Sequence, residues 1–329
     1  MSQLTIAVIL PVRNRIHFTQ QMLTDLCQQM AELPSSMAPR IDIIVVDDGS
    51  TDGTSETIQA EFPKIHLLKG DGSLWWTGAI SKGMQYAQQH LTPDYILWLN
   101  DDIKLSSDFL KTLVETSFTY QGKRDILGGI VLARNEPNWI AFGGVKNSSP
   151  IRSLNEFRSQ TELLVDTLNG NIALFPISVV HQVGFPNAHK FRHYGGDYEY
   201  FIRAKIAGFK IKLLYNLRST ADFSEKDIIR YMPPWMQYRL AQNLSEKWQV
   251  VQGLTSLKTN YNIWHMVNSM NRQSKQIYPH QYIDFYIRKI IQILLVQTRS
   301  RRAMECQINE YLEKQCVPKV FRQRIFDSL

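Results

Sequence analysis

The chain has 329 residues, of which 44% are hydrophobic and 20% charged, with a formal net charge of +7. This balance argues against wholesale disorder and leaves room for one large α/β domain with an appendage, or two modest domains. Three widely spaced cysteines without a CxxC pair, Cys27, Cys306 and Cys316, argue against a disulfide framework or zinc site and fit a reducing, cytoplasmic setting.

The opening "LTIAVIL" carries no preceding positive charge and reads as a first strand, not a signal peptide. A helix is expected from about His17 to Ala31. The strand "IDIIVV" leads into "DDGSTDGTSETIQAEF", where Ser, Thr and Asp can cap a helix. "IHLL" is followed by a glycine-rich loop and the helix "AISKGMQYAQQH", and "YILWL" forms a fourth strand. Short β-branched runs alternating with helices predict a parallel sheet of βαβ units. Ligands of such sheets bind beyond the carboxyl ends of the strands, which nominates "PVRNR", "DDGS", "GDGSLWW" and "NDD".

From Asp125 to about Tyr215 the pattern loosens into the strands "ILGGIVLA", "WIAFGGV" and "NIALFP", a helix from about Asp197 to Ala207, and the strand "KIKLLY". On that helix Tyr198, Phe201, Ile202 and Ile206 are expected to form a buried stripe. After Thr220 the composition turns helical and basic. Residues 224–329 hold 16 Lys and Arg against 8 Asp and Glu, whereas residues 1–150 hold 12 against 16. The predicted domains are 1–223, split into halves 1–102 and 103–223, and a helical region 224–329.

Several constellations carry chemistry. The acids Asp47 and Asp48 end a strand, where they can accept hydrogen bonds from a ligand or cap the following helix. Neither GxGxxG nor GxxxxGK[ST] is present, so dinucleotide and P-loop readings lose their usual support. "GDGSLWWTGAISKG" places glycines, which permit close backbone approach, beside Trp75 and Trp76, whose indoles can offer a flat face to a base or sugar. "LNDDIKL" ends the most apolar strand with oxygen donors suited to Mg²⁺ or Mn²⁺, or else makes a polar turn. Asp197 stands at a helix N-terminus, where the macrodipole favours its ionised form, as general base or as cap.

Taken together, "VILPVRNR", "VVDDGSTDGT", "GDGSLWWTGAISKG", "YILWLNDD" and "HYGGDYEYFIRAKIAGF" resemble the family 2 nucleotide-sugar glycosyltransferases, over roughly residues 4–223. "GDGSLWWTGA" and "HYGGDYEY" look most like the rhamnosyltransferase-like branch. The resemblance implies a GT-A-type, Rossmann-like mixed sheet, predominantly parallel and flanked by helices. It implies donor contacts at Pro11, Arg13, Asp47, Asp48, Gly72, Trp75, Trp76 and Asp101, with Asp48 on the base. Asn100-Asp101-Asp102 matches the DXD position, so a divalent cation is expected on Asp102, with Asp222 as a substitute for the histidine that many relatives supply. Asp197 matches the base of inverting members, with Tyr194 and Glu199 on the acceptor side. Asn100 departs from the first acid of DXD, and Gly196 from the family's acidic neighbour of the base, a loss for which Glu199 can compensate.

The implied partners are a nucleoside-diphosphate sugar and a glycan or lipid-linked glycan acceptor, in cell-surface polysaccharide or glycolipid synthesis, with no nucleic acid. Two alternatives stay open: a non-catalytic nucleotide- or glycan-binding relative, and a sugar nucleotidyltransferase, although "PVRNR" lacks the glycine-rich loop of the latter. "YIDFYIRKIIQILLVQTRSRR" is too short in its apolar part to span a bilayer. It can lie as an amphipathic helix on the inner face of a membrane, or pack on its own domain or on a second subunit.

Overall fold

The computed structural model describes residues 3–34, 38–271 and 277–327. They fall into two units, one of residues 1–188 with 196–222, the other of residues 189–195 with 223–329. The "FRHYGG" segment before Asp197 thus belongs largely with the C-terminal unit.

The first unit begins with β1 (Thr5–Val12), α1 (Ile16–Glu32), β2 (Arg40–Asp47), α2 (Thr54–Glu61), β3 (His66–Lys69), α3 (Trp75–His90) and β4 (Tyr95–Leu99). It continues through β5 (Lys104–Leu105), α4 (Phe109–Thr119), β6 (Asp125–Ala133), β7 (Glu136–Phe142), β8 (Gly144–Lys146) and β9 (Ser149–Pro150). After a 3₁₀ turn come β10 (Glu162–Leu164), β11 (Thr167–Leu168), β12 (Ile172–Pro176), α5 (Ile177–Val183), α6 (Gly196–Ile206) and β13 (Lys210–Ala221).

The main sheet runs β10-β13-β6-β12-β4-β1-β2-β3, with β5 and β7 attached to β13 and β6. Strands β3, β2, β1 and β4 are mutually parallel, as are β6 and β13. Strand β12 enters antiparallel between β4 and β6. All four loops nominated from the sequence therefore leave one edge of the sheet. Ile172 pairs with Leu99, which brings the turn before β12 to that same edge.

Side chains alternate across the sheet, as the two-residue strand period requires. Ala7, Ile9, Ile44 and Val46 pack with Ala79, Ile80 and Met84 of α3 on one face. Val8, Leu10 and Val45 pack with Leu23 of α1 and Phe109 and Leu113 of α4 on the other. Trp98, Phe175, Tyr200 and Phe201 make a buried aromatic cluster with ring centroids 5.0–5.9 Å apart.

Two local expectations change. Helix α3 starts at Trp75, so both tryptophans lie in its first turn and not in the loop; the loop ends where Asp48 binds the Trp75 N–H. On α6 the buried residues are Glu199, Tyr200, Phe201 and Ala204, whereas Ile206 is 73% exposed. The sheet meets α6 one residue round from the predicted stripe.

The second unit is helical among its described residues: α7 (Glu225–Tyr231), α8 (Pro234–Leu240), α9 (Leu244–Gly253), α10 (Ile263–Met270), α11 (Pro279–Val296), α12 (Arg301–Lys314) and α13 (Lys319–Asp327). Asn243, Asn262 and Ser300 cap α9, α10 and α12 through their side chains. No described helix is long and apolar enough to cross a membrane.

Candidate active site

At the end of β2 both acids of "DDGS" are buried and engaged by the protein itself. Asp47 accepts the Ser50 N–H at 2.9 Å and the Ser55 hydroxyl, which fixes the start of α2. Asp48 accepts three backbone N–H groups of the next loop, from Gly72 (2.9 Å), Leu74 (3.2 Å) and Trp75 (2.8 Å). Arg13 completes the clasp by donating to the Gly72 carbonyl at 2.6 Å, with its guanidinium 3.8 Å from Asp48. Gly72 sits at φ +89°, a region that favours glycine, and a β-carbon there would stand 3.0 Å from the Arg13 guanidinium. Helix α2 takes Gly53 at its N-cap position, so neither Asp48 nor Ser50 caps it. Pro11 lies within β1, opposite Val46.

Beyond β4 the three residues of "NDD" part company. Asn100 turns into the protein: its carbonyl oxygen accepts the Trp76 indole N–H at 2.9 Å, and its amide donates to the Asn171 side chain. Asp101 is buried, accepting the Thr19 hydroxyl at 2.8 Å and Arg15 at 3.0 Å. Burial is the largest influence on Asp101 and lifts its pKa to about 6, opposed by the charge of Arg15. Asp102 is more exposed and pairs with the same guanidinium nitrogen of Arg15 at 2.9 Å.

Asp222, at the end of β13, pairs with Arg134 at 3.0 Å. Strand β5 pairs Lys104 with Thr220 and Leu105 with Ser219, so Asp102 precedes β5 and Asp222 follows β13. Among the described residues no group of three His, Cys, Asp or Glu side chains gathers as a metal cluster.

Asp197 begins α6. One carboxylate oxygen accepts the Gly170 N–H at 2.9 Å, and the other accepts the Tyr198 N–H at 2.8 Å. Burial raises its pKa to about 6, against these two hydrogen bonds, so it is mostly ionised at neutral pH and takes up a proton readily just below. Gly170 belongs to the turn Asn169-Gly170-Asn171 before β12. A β-carbon there would lie 2.2–2.3 Å from the Trp76 ring, so glycine is required. The Thr77 hydroxyl is buried without a hydrogen-bond partner among the described residues and faces Gly196.

The turn thus links "NDD" to Asp197: Asn171 holds Asn100, Gly170 holds Asp197, and the Trp76 ring packs on the glycine. Trp76 also meets Trp98 edge-on at 5.6 Å. Trp76 is partly buried, with its ring edge on this packing and its N–H on Asn100.

Glu199 requires a correction. Two residues on from Asp197 it points to the opposite side of α6. There it is buried in an ion pair with Arg203 at 2.9 Å, and Arg203 in turn binds the carbonyls of Val183 and Phe185. It is neither an acidic neighbour of the base nor a free acceptor-side group. Tyr194 lies in the second unit, its ring against His193 at 4.7 Å. Sequence reasoning missed Arg15, Thr19 and the Asn169–Asn171 turn. For the turn a signal existed, an Asn-Gly pair before an apolar strand.

Residues 7–168 match the model described as Glycosyl transferase family 2. Those residues are similar to the family 2 glycosyltransferases. An uncharacterized glycosyltransferase of Rickettsia conorii is 24% identical over 186 residues, taking in 55% of this chain and 28% of that relative. The chain therefore matches under a third of the relative's length. The mannosyltransferase PcManGT from Pyrobaculum calidifontis, solved with GDP-Man and Mn2+, superposes with a TM-score of 0.52 at 12% identity, covering 99% of this chain and 84% of that one. GalNAc-T7, solved with UDP, GalNAc and Mn2+, gives 0.51 at 13% identity, covering 84% and 58%. These likenesses show a GT-A-type fold.

Proposed function

We propose that the protein transfers a sugar from a nucleoside-diphosphate sugar to an acceptor hydroxyl with inversion. The acceptor in this reading is a glycan or lipid-linked glycan, in cytoplasmic synthesis of a cell-surface polysaccharide or glycolipid. Rhamnosyl transfer is the reading suggested by the forms "GDGSLWWTGA" and "HYGGDYEY". The donor class is supported by the GDP-Man and UDP of the two fold relatives.

The observation that carries the reading is the Asp197 carboxylate, held in place by two backbone N–H groups with a pKa of about 6. Such a group can accept the acceptor's hydroxyl proton as the oxygen attacks the anomeric carbon and the carbon–phosphate-oxygen bond breaks. The bound proton leaves the site as Asp197 re-equilibrates with solvent above its pKa. Fixing acceptor and donor in line supplies a further part of the rate.

The chemistry of the donors suits a divalent cation: Asp102 and Asp222 are accessible carboxylates, paired with Arg15 and Arg134, and are hard oxygen donors of the kind Mg²⁺ and Mn²⁺ take. Asp102 would hold the ion with Asp222, and the ion would stabilise charge on the departing diphosphate. Arg15, now on both acids of "NDD", is placed to move onto a phosphate when they are engaged otherwise.

The test is a panel of sugar nucleotides scored for hydrolysis and transfer, with Asp197→Asn alongside. The variant is expected to keep donor binding and lose turnover by about 10²–10⁴-fold. Full turnover by Asp197→Asn would sink the assignment, and metal-independent binding without turnover in the wild type would favour the non-catalytic relative.

A further inference from the structure

Helix α11 is apolar on two sides. Ile293 and Val296 face the rest of the second unit and are buried. On the other side Ile283, Ile287, Ile291, Leu294 and Leu295 form one stripe at helical spacing, each 48–61% exposed. A helix apolar all round normally has all its faces covered, and this stripe has no cover in the second unit. At its far end a cleft of about 590 Å³ opens along α11, floored by Trp235, Ile291 and Leu295 and rimmed by Arg288, Arg299 and Glu310, with Arg288 also paired to Asp284 at 2.9 Å. Arg301 and Arg302 follow, both exposed. Trp264, 42% exposed, stacks obliquely on Tyr282 at the other end of the stripe, with ring centroids 5.0 Å apart.

Charge decides what covers the stripe. The second unit carries 18 Lys and Arg against 8 Asp and Glu. A second copy in a closed dimer would set Arg288, Arg299, Arg301 and Arg302 against themselves, which opposes association. An anionic lipid surface meets aliphatic side chains with acyl chains and guanidinium groups with phosphates, and indole and phenol rings favour the boundary between them. We propose that the exposed face of α11 lies in the plane of an anionic bilayer surface, with the Arg288–Arg299 cleft taking a lipid phosphate headgroup. The helix lies on the membrane and does not cross it.

The experiment is co-flotation of the purified full chain with phosphatidylcholine vesicles, with and without phosphatidylglycerol. Roughly tenfold more protein is expected to float with the anionic vesicles, and high salt should weaken that preference. Ile287→Glu with Ile291→Glu should abolish flotation while keeping the wild-type melting temperature, since both positions are exposed. Arg288→Gln with Arg299→Gln should lose the preference for phosphatidylglycerol. Equal flotation of the Ile287→Glu, Ile291→Glu variant, or no flotation of the wild type, would overturn the proposal. So would a dimer in light scattering that the same two substitutions dissolve, because the face would then belong to a second copy. Unchanged lipid preference in the arginine variant would remove the headgroup site.

Discussion

At the scale of single residues, Asn100 shows why a departure from DXD can be a requirement. Its amide accepts from the Trp76 indole and donates to Asn171; an ionised carboxylate can only accept. Asn100→Asp is therefore expected to cost about 1–3 kcal/mol in denaturant unfolding, with Asp against the Asn171 oxygen. Gly170→Ala should cost a similar amount, about 1–3 kcal/mol, by driving a methyl into the Trp76 ring. It should also lower kcat more than it raises KM, since the N–H that holds Asp197 moves with it. The pKa of Asp197 is raised on folding, from 3.8 to about 6. Its contribution to stability is thus present at low pH and lost as pH rises through that window, while the basic form needed for transfer appears over the same window. A limb in the kcat–pH profile near 6, absent from any residual activity of Asp197→Asn, checks the assignment. Asp197 was legible because its position at a helix start is a local feature. Arg15 was not, because its partners lie 86 and 87 positions away. For Glu199 the two-residue spacing already sets it on the far side of the helix, and its pairing with Arg203 there follows.

At the scale of elements, the βα order was legible from β1 to β4, since each strand is a short apolar run closed by polar residues at the ligand edge, although β3 is only partly buried. The antiparallel insertion of β12 was not, because an apolar run such as "NIALFP" does not state its direction. The small sheet β11-β8-β9 was hidden for a different reason: strands of two or three residues leave no periodicity. Helix α3 gains its close seat on β1 through Gly83, where a β-carbon would stand 2.5 Å from Ile9. Gly83→Ala raises helix propensity, yet here the overlap is expected to dominate, with a net loss of about 1–3 kcal/mol on thermal unfolding. A more stable variant would show that β1 and α3 can separate freely.

At the scale of the whole molecule, the first unit carries the candidate site and the second the net positive charge, 18 Lys and Arg against 8 Asp and Glu. A ligand that binds only the folded state stabilises it by mass action, about 2.7 kcal/mol at a hundred times its dissociation constant. A nucleoside diphosphate with Mn²⁺ is accordingly expected to raise the melting temperature, and Asp102→Asn to remove the metal-dependent part of that rise. No shift with UDP, GDP or dTDP would count against a nucleotide-sugar donor. Composition shifts near 223, but the grouping of residues 189–195 with the second unit was not legible, because it depends on contacts distant in sequence, such as Asn268 donating to the Lys190 carbonyl at 2.6 Å.

The clasp at Asp48 bears on how the nucleotide preference of the proposed transferase can be altered. An acid that already satisfies three amide groups cannot be exchanged to suit a new base without releasing the 70–75 loop. Directed evolution toward a different nucleotide should therefore find position 48 closed, with surviving variants accumulating at Ser73, whose exposed side chain can change while that anchor stays intact.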